Sequence, residues 1–526
     1  MSTAVNESSP TGLSPASRRQ VLKALSGLFL ALFVSTLSST VVSSALPKII
    51  GAVHGSQTQY TWVVTATLLT TTATTPIWGK LADLFSKKTL VQAAMAFFML
   101  GALASGISQT AGQLIAARAL QGVGVGGAQA LVQIVLAAMI PPRERGRYSG
   151  YLSSVTATST IGGPLLGGVV VDTSWLGWRW CFFLGLPLAV LALLLLQRTL
   201  NLPVLRRENV KIDYLGAALI ATGVSVLLIW VSFVDNSFAW ASWQTAVMVA
   251  GGLALIAAAV WVESRAPEPL VPLAIVRQRT TALAILGSLS VGTAMFGASV
   301  FLSQYFQLSR GRTPTEAGLL TIPMMAGILI ASTIAGRLIS RTGHIKPFVV
   351  TGAVLLTAGC AGLGVIDHRT PMIFLSAAML CVGMGVGMTL QNFVLMVQNT
   401  VQLKDVGAAS STVSFFRSLG GTIGVSVLGA VLARHVQDQI AKGAAAAGVT
   451  PTGGSTDATT QSPAMREIVQ VAYGDATAQV FLLAAAAAVL AVVAAVLLKP
   501  VRLRSSLDLP EKAAVPAPRP VAGTAD

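Results

Sequence analysis

The 526-residue chain is short of charge: Asp, Glu, Lys and Arg together make 10% of it, against 53% hydrophobic residues. Soluble proteins carry about 25% charged residues. Too little charge is present to cover a water-facing surface of this size, which excludes a soluble enzyme, a disordered chain and a nucleic-acid-binding module. Aromatic residues are also scarce, at 6%. The three cysteines, Cys181, Cys360 and Cys381, all sit inside apolar runs, which excludes a disulfide framework or a zinc spacing. The four histidines (His54, His344, His368 and His435) fall between apolar segments, and none of the 19 acids stands near the middle of one. No cofactor or metal is expected, and no acid–base cluster is available for a membrane enzyme. Glycine, by contrast, is abundant at 50 residues. Small residues let helix backbones approach closely in lipid, where apolar side chains gain little by meeting one another.

Fourteen apolar segments recur, at about 21–45, 58–79, 89–108, 112–140, 148–171, 180–197, 213–234, 243–263, 281–306, 315–340, 347–366, 371–397, 407–433 and 476–498. Runs of about 18 or more apolar residues read as membrane-crossing helices. Arg18, Arg19 and Lys23 precede the first run, which reaches Pro47 without a small-residue cleavage pattern, so a retained helix is expected. With both termini in the cytoplasm, cytoplasmic stretches hold 25 Lys and Arg residues and external ones 8, with Arg118 and Arg417 inside helices. That bias places both termini inside. The net charge of +16 is therefore a property of loops, and no nucleic-acid partner is expected.

Glycine motifs repeat at a fixed offset. Gly79 and Gly336 both precede a basic residue and a leucine at the end of a segment. Gly163 and Gly167 match Gly420 and Gly424; every pair is 257 residues apart. Paired halves with a substrate site between them are a transporter architecture. The expected organisation is an all-α integral membrane protein of two pseudo-symmetric six-helix bundles, 21–200 and 281–499, with two inserted helices over 213–263. A cytoplasmic tail over 1–20, an external loop over 435–475 with a short helix near 464–474, and a disordered tail over 500–526 complete it.

Three motifs carry a resemblance. Gly79-Lys80-Leu81-Ala82-Asp83-Leu84-Phe85-Ser86-Lys87-Lys88 resembles the helix 2–3 loop signature of the major facilitator superfamily. Arg118-Ala119-Leu120-Gln121-Gly122 resembles its Arg-x-x-Gln-Gly signature in helix 4. Gly162-Gly163-Pro164-Leu165-Leu166-Gly167-Gly168 resembles the helix 5 signature of its proton-driven exporters. With Pro141 to Arg147, Trp178 to Phe182 and the helix 1 pattern Leu37 to Pro47, the chain looks like the fourteen-helix drug:proton antiporter family of that superfamily. The resemblance implies export of amphiphilic drugs or antibiotics across a bacterial cytoplasmic membrane by alternating access, with protons as coupling ion, the bilayer as surroundings and a monomer as the working unit. It implies gating and coupling roles for Gly79, Asp83, Lys87, Lys88, Arg118, Arg143, Arg145, Gly163, Pro164, Gly167, Asp172 and Arg417.

The departures bear on chemistry. The family commonly has aspartate where Ser38 stands and asparagine where Ser43 stands. Arginine does not readily titrate, which leaves Asp83 and Asp172, at segment ends, as candidate proton carriers. An arginine inside a bilayer costs roughly 2.5–3.5 kcal/mol on insertion scales, so Arg118 should face a polar cavity and favour neutral or anionic substrates. The candidate cavity wall is Ser38, Ser39, Arg118, Gln121, Phe301, Gln304, Met384, Met388, Gln391, Asn392 and Phe416, mixing polar groups with adaptable methionine and aromatic surface. The alternative is a lipid or metabolite exporter with weak or no proton coupling, an option the missing helix 1 acid raises.

Overall fold

The computed structural model describes residues 15–53, 57–140, 142–173, 176–200, 214–234, 238–265, 273–312, 314–402, 405–447 and 463–500. The first half contains α1 (Pro15–Ala52), α2 (Gln57–Leu84), α3 (Lys87–Ile107), α4 (Ala111–Met139), α5 (Pro142–Asp172), α6 (Trp180–Phe183) and α7 (Gly185–Thr199). Then come α8 (Tyr214–Phe233), α9 (Trp243–Arg265) and α10 (Leu273–Val276). The second half holds α11 (Arg279–Gln304), continued by a π-helical turn over Tyr305–Ser309, then α12 (Pro314–Leu320), α13 (Ile322–Thr342), α14 (Lys346–Leu363), α15 (Met372–Gln398), α16 (Val406–Ala447) and α17 (Pro463–Leu497). Eleven helical spans among the described residues are long and apolar enough to cross a membrane, and α8 adds a shorter apolar stretch over Ala218–Leu227. The helices α2 and α5 are long enough but are not among the eleven; α2 is diluted by nine threonines. Of the loop expected over 435–475, both ends are helical: Ala-rich sequence carries α16 on to Ala447, and the short helix expected near 464–474 is the first part of α17. Residues 1–14, 448–462 and 501–526, which hold most of both expected tails and the middle of that loop, lie outside the described residues.

Each half has its own core. One continuous cluster runs from Ile275 to Leu498 and takes in Ala137 of the first half, and three clusters fall within Leu25 to Leu200. The halves are built alike. In the first, α1 packs on α5 and α4 lies between α2 and α3; in the second, α11 packs on α16 and α15 lies between α13 and α14. The pair α8 and α9 lies over the seam between the halves, where Ile220, Val224 and Ile256 meet Leu69 of α2 and Phe415, Phe416 and Leu419 of α16.

Three of the seams within the halves, α1 on α5, α2 on α4 and α11 on α16, share one device. Threonine on one helix donates its hydroxyl proton to a main-chain carbonyl of the next, and glycine opposite lets the backbones close. Thr40 Oγ1 reaches the Ser159 carbonyl of α5 at 3.2 Å, beside Gly163, where a Cβ would strike the Thr40 side chain. Thr293 Oγ1 reaches the Gly420 carbonyl of α16 at 2.8 Å, and a Cβ on Gly424 would strike Thr293. Thr67 and Thr71 of α2 reach the carbonyls of Arg118 and Gly122 on α4 at 3.2 and 3.0 Å. In lipid such bonds have no water to compete with them, and small residues set how close the helices come.

The helix ends distinguish two faces of the bundle. At the basic end, Lys88 Nζ donates to the Gln197 carbonyl (2.8 Å) and Lys346 Nζ to the Val496 carbonyl (2.8 Å), each a cation capping the last turn of a neighbouring helix. At the opposite end, Tyr305 Oη donates to the Asp367 carbonyl (2.7 Å), and Arg310 donates through Nε to Tyr305 Oη (2.8 Å) and through Nη2 to the Thr370 carbonyl. The Thr370 hydroxyl and the Arg369 N–H hold the exposed Asp367 carboxyl below its usual range.

The seam between α2 and α4 makes a direct test. A Cβ at Gly122 would lie 2.5 Å from the Thr67 carbonyl oxygen, whereas Gly112 on the same helix has open space. Gly122→Val is expected to destabilise the protein by about 1–3 kcal/mol, and Gly112→Ala to leave it unchanged or slightly firmer. Thermal unfolding of the purified protein checks this; equal midpoints for the two variants would contradict the seam.

Candidate functional site

The motif Arg118-x-x-Gln121-Gly122 sits on α4, and both neighbours of α4 fix its rotation. On one side Thr67 and Thr71 bond to its carbonyls, and Trp78 Nε1 donates to the Val123 carbonyl at 3.0 Å. On the other, Gly101 of α3 lies against the Gln121 main chain, and Gly124 lies against Ala94 and Phe98. Held so, Arg118 is 2% exposed, Gln121 0% and Ser38 of α1 5%. The three form a chain: Arg118 Nη1 donates to Gln121 Oε1 at 2.6 Å, and Gln121 Nε2 donates to Ser38 Oγ at 3.0 Å. A charged donor makes the first bond the stronger of the two. Arg118 Nε is buried and has no hydrogen-bond partner among the described residues. The site can therefore offer a fixed positive charge and a free donor in a low-dielectric interior.

A second polar contact joins the halves. Gln133 Nε2 on α4 donates to Gln391 Oε1 on α15 at 2.5 Å, with both residues buried. It lies toward the basic end, and other contacts between the halves lie there too. A Cβ on Gly79 of α2 would strike Ser411 of α16. A Cβ on Gly150 of α5 would lie 3.2 Å from the Ser332 carbonyl of α13. Ala137 of α4 is part of the second half's core. The sequence names Gln391 as a wall residue and passes over Gln133, whose signal is an amide inside the apolar run Leu131 to Leu136.

The remaining candidates are spread through the bundle. Ser39 Oγ donates within its own helix to the Ser35 carbonyl (3.2 Å), and Asn392 Nδ2 donates to the Met388 carbonyl (2.6 Å). Phe301 is buried in the second half's core beside Gly297 and Gly429. Met388 packs on Gly352 of α14, and the main chain of Met384 packs on Gly327 of α13. Phe416 belongs to the cluster under α8 and α9. Gln304 Oε1 is buried near the opposite end of α11 with no partner among the described residues. Lys87 opens α3 beside Lys88, whose amine caps α7. Gly167 is buried on α5. Arg417 Nη1 on α16 is buried and has no partner among the described residues. The side chains of Asp83, Arg143, Arg145, Pro164 and Asp172 lie outside the described ones.

The family model described as Major Facilitator Superfamily matches residues 28–425. An uncharacterized MFS-type transporter of Mycobacterium tuberculosis is 34% identical over 510 residues, 96% of this chain and 73% of the relative. The multidrug transporter protein MdtP of Bacillus subtilis is 33% identical over 418 residues, 79% of this chain and 76% of the relative. Among solved structures, the proton:xylose symporter XylE bound to 6-bromo-6-deoxy-D-glucose superposes with a TM-score of 0.57 at 14% identity, over 89% of this chain and 95% of that one.

The amide pair between the halves can be tested by a double-mutant cycle. Gln133→Leu or Gln391→Leu alone strands a buried amide and is expected to cost about 1–3 kcal/mol, while the double variant recovers most of it. Thermal unfolding of the four proteins reads the cycle. Strictly additive losses would mean that the two amides do not depend on each other.

Proposed function

This chain belongs to the Major Facilitator Superfamily, a family of multi-pass membrane transporters and not of enzymes, and from that premise we propose that it exports amphiphilic compounds by proton-driven alternating access. In this reading all fourteen apolar segments cross the cytoplasmic membrane, the basic end with both termini faces the cytoplasm, and the protein works as a monomer. The observation that carries the proposal is a set of contacts that joins the halves toward the basic end. The glycine contacts at Gly79 and Gly150 and the Gln133–Gln391 amide bond lie toward the basic end. Such an arrangement suits a state sealed toward the cytoplasm, reopened when the halves rock about a central site.

MdtP's description as a multidrug transporter, at 33% identity, supports drug-like cargo. The buried Arg118–Gln121–Ser38 chain supports recognition by a positive charge and hydrogen-bond donors. Uncompensated by a neighbouring acid on α4, Arg118 selects neutral or anionic compounds over lipophilic cations. Proton coupling then falls to groups at the ends of helices, Asp83 and Asp172. One observation favours the alternative, a lipid or metabolite carrier without coupling: Ser38, standing where the family commonly has an acid, serves as an acceptor for Gln121 and cannot titrate usefully.

Purified protein in liposomes holding an internal pH dye separates the two. Under a pH gradient, neutral and anionic amphiphiles are expected to drive proton movement, and cationic ones to fail. Arg118→Ala should lower this flux about tenfold, the loss of roughly 1.4 kcal/mol of binding, and Asp83→Asn should abolish it. Substrate equilibration without proton movement would overturn the coupled reading in favour of the uncoupled carrier.

A further inference from the structure

The seam between α11 and α16 holds three polar atoms that the function above leaves unused. Ser288 Oγ, Ser414 Oγ and Arg417 Nη1 are all buried with no hydrogen-bond partner among the described residues. Ser288 is 2% exposed and Ser414 3%. Their isolation runs against the habit of both helices. On α11, Ser290, Thr293 and Ser299 each donate to a carbonyl one turn back; on α16, Ser411 and Thr412 do the same. That local bond is the default for a helical hydroxyl, and Ser288 and Ser414 do not take it.

The packing brings the three to one level. Gly292 closes on the Arg417 carbonyl, and Gly420 closes on the backbone of Leu289. Ser288 stands one turn before Gly292 on α11. Ser414 stands one turn before Arg417 on α16, and a helical side chain leans toward the N-terminal end of its helix. The guanidinium of Arg417 therefore lies over the turn that carries Ser414.

Among the described residues, no acid of the surrounding helices stands at the level of this cation; Glu467 and Asp475 of α17 lie toward the opposite end. The sequences of α8, α11 and α15 contain no Asp or Glu. Asp438, the acid of α16, lies far along that helix toward the opposite end. On α2, Gly79 meets Ser411, so the antiparallel helices place the threonines near 70–75 at the level of Arg417. A permanently charged group with an unpaired donor in a dry seam is costly, and two hydroxyls turned from their own backbones leave further donor capacity beside it. Arg417 as a residue is only partly buried, unlike Ser288 and Ser414.

We infer that Ser288, Ser414 and Arg417 form a subsite for a single compact anionic group, either the carboxylate of an amphiphilic substrate or a free small anion. The inference rests on the transport reading only for how the ligand arrives. Its site lies in the second half, apart from the Arg118 chain, and its chemistry is that of a charge-assisted hydrogen bond from Arg417 supported by two hydroxyls.

The test uses full-length protein in nanodiscs and two probes, 1-pyrenebutyrate and its methyl ester, read by energy transfer from tryptophan. Wild-type protein is expected to bind the acid about tenfold more tightly than the ester. Arg417→Gln should erase that preference, Ser414→Ala should weaken it, and Arg417→Lys should keep part of it. In a second arm, sodium formate is added and thermal unfolding is followed in the wild type and in Arg417→Gln. An acid preference that needs Arg417 assigns the anion to the substrate. No preference, but stabilisation by formate that needs Arg417, assigns the site to a free anion. Neither effect in wild-type protein, or an acid preference that survives Arg417→Gln, overturns the subsite. All of these readings are made without a pH gradient, so failure here leaves proton-driven export standing, and failure of proton movement in liposomes leaves the subsite standing.

Discussion

A hydroxyl buried in a bundle that lipid surrounds can bond only to protein; many here bond one turn back in their own helix, and a few bond to the backbone of the next. Thr40, Thr67, Thr71 and Thr293 each reach across a seam to a carbonyl. These bonds form only where backbones come close, and glycine at 122, 163, 420 and 424 makes that approach possible. Each such bond in a membrane is worth little, about 0.6 kcal/mol on average. Their structural consequence is larger, because they fix rotation. With α4 pinned between α2 and α3, Arg118, Gln121 and Ser38 fall into one line and Gln133 meets Gln391.

The contacts within a half differ in kind from most of those between the halves. Within a half, seams are closed by direct backbone approach and by lysine caps on neighbouring helix ends. Between the halves, the contacts toward the basic end are a neutral amide pair, glycine against serine, and apolar packing at Ala137. Such contacts can be exchanged for others at modest cost, as a rocking mechanism needs.

Much of this was legible in the sequence. Apolar runs marked the helices, and the 257-residue spacing of Gly163 and Gly420 pointed to seams that prove alike in construction, α1 on α5 and α11 on α16. The resemblance of Arg118-x-x-Gln121 led to two members of the buried chain, and Ser38 completed it. Side-chain direction was less legible. Periodicity says that Phe301, Met388 and Phe416 are apolar on apolar helices, and it cannot say which neighbour they face; Phe301 and Met388 fill the second half's core and Phe416 lies under the inserted pair. The extension of α16 to Ala447 was missed because alanine and glycine outside an apolar run look like a loop. Gln133 was missed because a lone amide in an apolar run has no pattern; its partner is 258 residues away.

The central proposal is that the halves rock about a central site, parting and remaking the contacts at the basic end. Pulsed electron paramagnetic resonance tests it most directly, with Cys181, Cys360 and Cys381 replaced and spin labels at two pairs of exposed positions. Phe85 and Gln402 report the basic end, and Gln109 and Arg369 the opposite end. The account predicts that adding an amphiphilic substrate or lowering pH shifts the two distance distributions in opposite directions, one end widening as the other narrows. Distributions that stay single and unmoved at both ends, in protein that still transports, would contradict it.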